Sequence, residues 1–235
     1  GGVVWTDPDL ANASYDSVSF SVAGQETISS SLSFKPDGSK MYVAGTGNDA
    51  LYQYSLSTDW DVSSASYDSV SFSVSSQAGY PKAFFKPDGT KFYVADTGSD
   101  TVYEYVMSTA WDLSTASYNS VSFNVSSQDT SPQGITFKAD GTKMYVVAYT
   151  TSSIFQYSLS TAWDLSSASY DAVSFNCSSQ GTQGRDVSFN PDGTKMFFIG
   201  TANDTVHQYS LSTAWDVSSA SYDSVSFSVA SQENF

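Results

Sequence analysis

One seven-residue string governs what this chain can fold into. Ser-Tyr-Asp-Ser-Val-Ser-Phe begins at Ser14 and returns at Ser66, Ser117, Ser169 and Ser221, with Asn119 and Ala172 as its two internal changes. An Asp-Gly pair recurs at Asp37, Asp88, Asp140 and Asp192, and a Trp-Asp pair at Trp60, Trp111, Trp163 and Trp215. Successive copies lie 51 or 52 residues apart. A strict period of this length belongs to repeat architectures, in which each unit buries a face against the next.

One unit reads as four strands, here A to D: residues 134–138, 143–148, 154–159 and 172–177. Each is short, rich in Val, Tyr and Phe, and bounded by Gly, Ser, Thr or Asp. Between A and B, Pro-Asp-Gly fixes one turn corner, and its Gly accepts the positive φ of a tight hairpin. Strands B and C are apolar on both faces (Met41 to Ala44, then Leu51, Tyr52 and Tyr54), so both faces need cover. Strand D alternates Val18, Phe20 and Val22 with serines, as an outer strand half in solvent does. The expected fold is an all-β propeller of four complete blades (26–77, 78–128, 129–180 and 181–235). Before them stands an outer half-blade, 1–25, with a degenerate C strand at 2–6 and a D strand at 18–22, and Pro8 where the Trp belongs.

Composition narrows function by exclusion. There are 24 acidic residues against nine basic, a net charge of −15, and a single Arg. Phosphate neutralisation needs dense cations, so nucleic acid is excluded as a partner. No apolar run approaches a membrane span. One Cys and one His leave no cysteine zinc site and few groups for acid–base work, and no cofactor is expected. The missing initiator Met reads as a processed or excised piece.

The run Lys86-Pro87-Asp88-Gly89-Thr90-Lys91-Phe92-Tyr93-Val94-Ala95 resembles the YVTN-type propeller repeat. The extended unit, with Tyr-Ser-Leu-Ser-Thr-Ala-Trp-Asp after it, is similar to repeats of phage structural and marine environmental proteins. That resemblance implies the propeller fold and an extracellular or virion setting. It says little of activity, since propellers host many.

The copies test each candidate residue. His207 stands where Tyr52, Tyr103 and Phe155 stand and reads as a packing residue; Cys177 replaces Val74, Val125 and Val229 and reads as a small buried hydrophobe. Asp49, Asp100 and Asp204, with Ser153 at that place in the third blade, are weak calcium candidates better read as turn caps, because no single loop offers enough oxygens. Seven of eight lysines flank the A–B turns and read as surface ion pairs. Variation gathers in the D–A and B–C connections, where Tyr80, Lys82, Gln133, Tyr149, Arg185 and Asp186 are the non-repeating groups and the candidate ligand site.

The sparse catalytic supply favours a non-catalytic binding or structural module, contacting a glycan or protein partner through that loop face. The alternatives are a propeller enzyme, lactonase- or glycosidase-like, and a purely architectural ring or fibre segment. The unpaired half-blade predicts homo-association or a partner chain, because an open strand edge invites strand addition.

Overall fold

The computed structural model describes residues 9–232. Among them, sixteen strands form four antiparallel sheets, each in simple chain order. Blade 1 holds β1 (Ser29–Phe34), β2 (Lys40–Gly45), β3 (Ala50–Leu56) and β4 (Ala65–Ser73). Blade 2 holds β5 (Pro81–Phe85), β6 (Lys91–Asp96), β7 (Thr101–Met107) and β8 (Ala116–Asn124). Blade 3 holds β9 (Pro132–Phe137), β10 (Lys143–Ala148), β11 (Ser153–Leu159) and β12 (Ala168–Asn176). Blade 4 holds β13 (Gly184–Phe189), β14 (Lys195–Gly200), β15 (Thr205–Leu211) and β16 (Ala220–Ser228). The protein is an all-β propeller with four four-stranded blades.

Two short-range devices shape each blade. The A–B turn glycines Gly38, Gly89, Gly141 and Gly193 sit at φ between 73° and 78°. The Trp of the same blade lies on that turn, its backbone N–H donating to the Gly carbonyl at 3.0–3.1 Å. Its Asp neighbour then caps a 3-10 turn: Asp164 Oδ1 accepts from the Ser166 N–H ahead of Leu165–Ser167. This turn passes straight into strand D, which therefore begins at Ala168 and not at residue 172. A bulge at Ser69, Ser120, Ala172 and Ser224, all with φ of 56–59°, shifts the C–D register midway and restores the alternation.

Blades join through one set of contacts. The strand-B tyrosines Tyr42, Tyr93 and Tyr145 are fully buried, and each hydroxyl donates to the Trp carbonyl of the next blade (Trp111, Trp163 and Trp215) at 2.6–2.7 Å. Each ring packs on the next blade's strand-A Phe (Phe85, Phe137 or Phe189) at 4.4–4.5 Å. On strand C, Gln53 accepts from the Leu113 N–H, Glu104 from Leu165 and Gln156 from Val217, each in the following blade. Six lysines pair locally, Lys35, Lys86 and Lys138 with their own turn aspartates and Lys40, Lys91 and Lys143 with Asp68, Glu104 and Asp171.

The N-terminal segment is described from residue 9 onward. Residues 18–22 belong to none of the sheets among the described residues, and their expected partner, the C strand at 2–6, lies outside the described residues. Residues 9–25 nonetheless make the inter-blade contacts of an outer half-blade. Leu10 N–H donates to Gln208 Oε1 of blade 4 at 2.9 Å. Phe20 meets Tyr54 of blade 1 edge-on at 5.7 Å, as Phe72 meets Tyr105, and Gln25 accepts from the Tyr54 hydroxyl as Gln77 does from Tyr105. The segment thus sits between blade 4 and blade 1, at a fifth position of the ring.

Candidate functional site

The first strand of every blade faces the central channel, where the D–A and B–C loops frame a cavity of about 1070 Å³. Tyr80, Lys82, Gln133, Tyr149, Arg185 and Asp186 all line it. Counting back from the strand-A Phe, Ser31, Lys82, Gly134 and Asp186 occupy one level of the ring, and Ser30, Pro81, Gln133 and Arg185 the level beside it. A cation and an anion thus flank a glycine. A Cβ on Gly134 would lie 2.7 Å from the Arg185 carbonyl and 2.8 Å from Asp186 Oδ1, so the absence of a side chain lets β13 and its carboxylate lean in over β9.

Each charged group is held. Lys82 Nζ donates to the Ser30 carbonyl at 3.0 Å; burial, with the nearby Arg185 charge and against the pull of Asp186, lowers its pKa to about 8. Asp186 is exposed on the cavity wall, and desolvation by the surrounding chain raises its carboxyl to about 6, against a 2.9 Å bond from the Val187 N–H. Arg185 donates to Gln133 Oε1 at 2.9 Å and lies over the Tyr149 ring at 4.9 Å. Gln133 in turn donates to Thr97 Oγ1 at 2.9 Å. Tyr80 projects freely, its backbone N–H fixed by Asp96.

Three buried carboxylates behind the loops escaped the sequence reading. Glu26 accepts from the Ile28 and Gly47 N–H groups, Asp96 from Gly79, Tyr80 and Ser99, and Asp129 from Ser131, so each ties down the loop that frames the channel. Burial raises Asp129 to about 6. The available signal was an acid at Glu26, Asp129 and Glu233 where the other copies carry Ala78 and Gly181.

The other candidates have structural surroundings. Asp49, Asp100 and Asp204 take left-handed turn corners (φ 45–52°), and their carbonyls accept from Val74, Val125 and Val229. The third-blade equivalent is Ser152 (φ 53°), not Ser153, which begins β11. Asp204 reaches the cavity rim. No group of three or more metal-ligating side chains exists among the described residues. Cys177 is buried and its thiol is pushed up to about 12.

His207 is buried on β15, edge-on to Tyr222 at 5.8 Å, the arrangement of Tyr103 with Tyr118 at 6.0 Å; Nε2 lies 3.2 Å from Asn203 Nδ2 and burial lowers its pKa. His207→Phe is expected to fold with a melting temperature equal to or above that of the parent, since it removes a buried Nδ1 that has no partner. A loss of stability of more than about 1 kcal/mol relative to the parent would contradict the packing role.

Comparison with known proteins corrects the expected affinities. The profile described as Lactonase, 7-bladed beta-propeller matches residues 30–216. Among solved structures, a candidate 6-phosphogluconolactonase from Bacteroides uniformis superposes with a TM-score of 0.57 at 12% identity, over 86% of this chain and 55% of that one. The periplasmic gluconolactonase of Pseudomonas aeruginosa gives 0.51 at 14% identity, over 81% and 51%. Kuenenia stuttgartiensis hydrazine synthase gives 0.53 at 17%, over 81% and 46%, so these likenesses speak for the fold. The chain spans about half the length of the structures it matches. No curated protein matches its sequence. The expected kinship with YVTN and phage repeats is overturned, because Pro-Asp-Gly, Lys and an apolar Tyr-Val strand are what any such blade needs and do not separate families. With it go the readings of a non-catalytic phage-like module and of a protein that is not an enzyme, which rested on sparse catalytic residues, a high Ser, Thr and Tyr content and the phage-like repeat. With residues 30–216 of its 235 under that one profile, this chain belongs to the family described as Lactonase, 7-bladed beta-propeller.

Proposed function

We propose that the channel hydrolyses a sugar lactone of the gluconolactone class. The observation that carries this reading is the level Lys82–Gly134–Asp186, a cation and a carboxylate on either side of a residue with no side chain. Opening a lactone needs water attacking the ester carbonyl, negative charge developing on the carbonyl oxygen, and the ring oxygen leaving with a proton. Asp186, at about 6, is ionised at neutral pH yet basic enough to take a proton from water. Lys82, protonated below about 8, stabilises the oxyanion in a partly dehydrated setting. Asp186, now protonated, returns that proton to the departing alkoxide. Arg185, Gln133 and Tyr149 orient the hydroxyls or an anionic substituent of the sugar. The names of the similar solved structures, gluconolactonase and 6-phosphogluconolactonase, support this substrate class.

The test is hydrolysis of glucono-δ-lactone, with and without a 6-phosphate, followed by proton release. The expected rate rises with pH through about 6, as Asp186 ionises, and falls above about 8, as Lys82 loses its proton. Asp186→Asn is expected to lower kcat by roughly 100-fold or more with the fold unchanged. Turnover no faster than spontaneous hydrolysis for both lactones, or full activity in Asp186→Asn, would refute the assignment.

A further inference from the structure

The gap between blade 4 and blade 1 differs from the three complete interfaces. On β2, β6 and β10 every residue after the leading Lys is buried, whereas β14 alternates, leaving Phe197 and Ile199 half-buried. Across the gap, Leu32 is 56% exposed where the equivalent Ile135 and Val187 are buried, and Phe34, like Phe189, is half-buried. Val229 is likewise half-covered where Val74, Val125 and Cys177 are sealed. Residues 9–25 already fill the outer part of this fifth position, and among the described residues no A–B pair stands inside it.

We propose that the gap is a seat for one further inner β-hairpin carrying the repeat's own chemistry. Continuity with the existing interfaces specifies that hairpin. Its first strand ends in a Phe that stacks on Phe197, as Phe85 stacks on Tyr42. An Asp-Gly turn and a Lys follow. Its second strand carries a Tyr that packs on Phe34, as Tyr93 packs on Phe137. The occupant is a hairpin and not a second intact copy, because an intact copy has each inner pair hydrogen-bonded within its own sheet. It approaches beside Gln232, which lines the same opening; the equivalent Gln77, Gln128 and Gln180 stand four residues before β5, β9 and β13. This inference is independent of the proposed activity, and it gives the ring five positions.

Two forms of one segment test it. A synthetic peptide with the sequence of residues 132–148 contains both the Phe and the Tyr, and the same segment fused after Phe235 starts four positions past Gln232. The peptide is expected to bind the full chain one to one, and the fusion to raise the melting temperature by several degrees. Replacing the peptide's Phe and Tyr by Ser, or Phe197→Asp in the protein with its circular dichroism unchanged, is expected to weaken binding at least tenfold. The fusion decides the matter where the free peptide is unstructured. A fusion that melts with the parent, together with no peptide binding at millimolar concentration, overturns the proposal. So does a parent dimer that Phe197→Asp converts to monomer, which would make a second copy the occupant.

Discussion

Glu104→Gln is expected to destabilise the protein by about 1–3 kcal/mol, and adding Asn119→Asp to recover most of that loss. Blades 1, 3 and 4 place an amide on strand C and a carboxylate on strand D: Gln53 with Asp68, Gln156 with Asp171, and Gln208 with Asp223, at 2.8–2.9 Å. Blade 2 exchanges them, so that Asn119 donates to Glu104 at 2.7 Å. Glu104 is 1% exposed, and also accepts from Lys91 Nζ at 2.7 Å and the Leu165 N–H of blade 3 at 3.1 Å. The single change puts two amides face to face and leaves Lys91 without its carboxylate. The double change rebuilds the arrangement of the other blades. Urea unfolding of the four proteins of this cycle measures the coupling, and additive losses would show that the exchange carries no energy.

Gly141→Ala is expected to cost about 2–4 kcal/mol, the sum of a left-handed Ala and an overpacked contact. Gly141 has φ 76°, and a Cβ there would collide with the Trp163 ring. Trp163 cannot retreat freely, since its carbonyl receives the Tyr93 hydroxyl and the Lys91 ammonium of blade 2. The strain therefore reaches the blade 2–blade 3 junction as well as the turn. Thermal melts of Gly141→Ala beside Thr142→Ala, a change in the same turn without the steric conflict, distinguish this effect from general turn sensitivity. Equal melts would discount it.

The blade was legible because its constraints are local and repeated four times. Strand B was readable residue by residue at 143–148, since a Gly turn and a Lys bracket an apolar run. Strand D began too late at residue 172, because the Asp164 cap and the bulge at Ala172 are backbone conformations that serine and alanine do not announce. The six variable loop residues converge on one cavity because scaffold positions repeat and channel positions do not. Their arrangement stayed hidden: that Lys82 and Asp186 stand on one level of the ring, on either side of Gly134, depends on a fold that brings together positions about a hundred residues apart in sequence. Glu26 and Asp129 were passed over because an acid beside a loop looks solvated until its backbone partners are seen.

The contact by which a strand-C side-chain oxygen accepts the first N–H of the next 3-10 turn is the same whether the acceptor is Gln53, Glu104, Gln156 or Gln208. A coupling that does not depend on which unit it joins makes the units interchangeable in order. Unequal exchange between gene segments encoding these near-identical copies, shifted by one period, would add or remove a whole blade while leaving every remaining junction with familiar chemistry. What such an event alters is the bore of the channel and which of the non-repeating side chains face one another across it. In this protein new specificity is therefore reachable by changing the count of the parts as well as by point substitution within them.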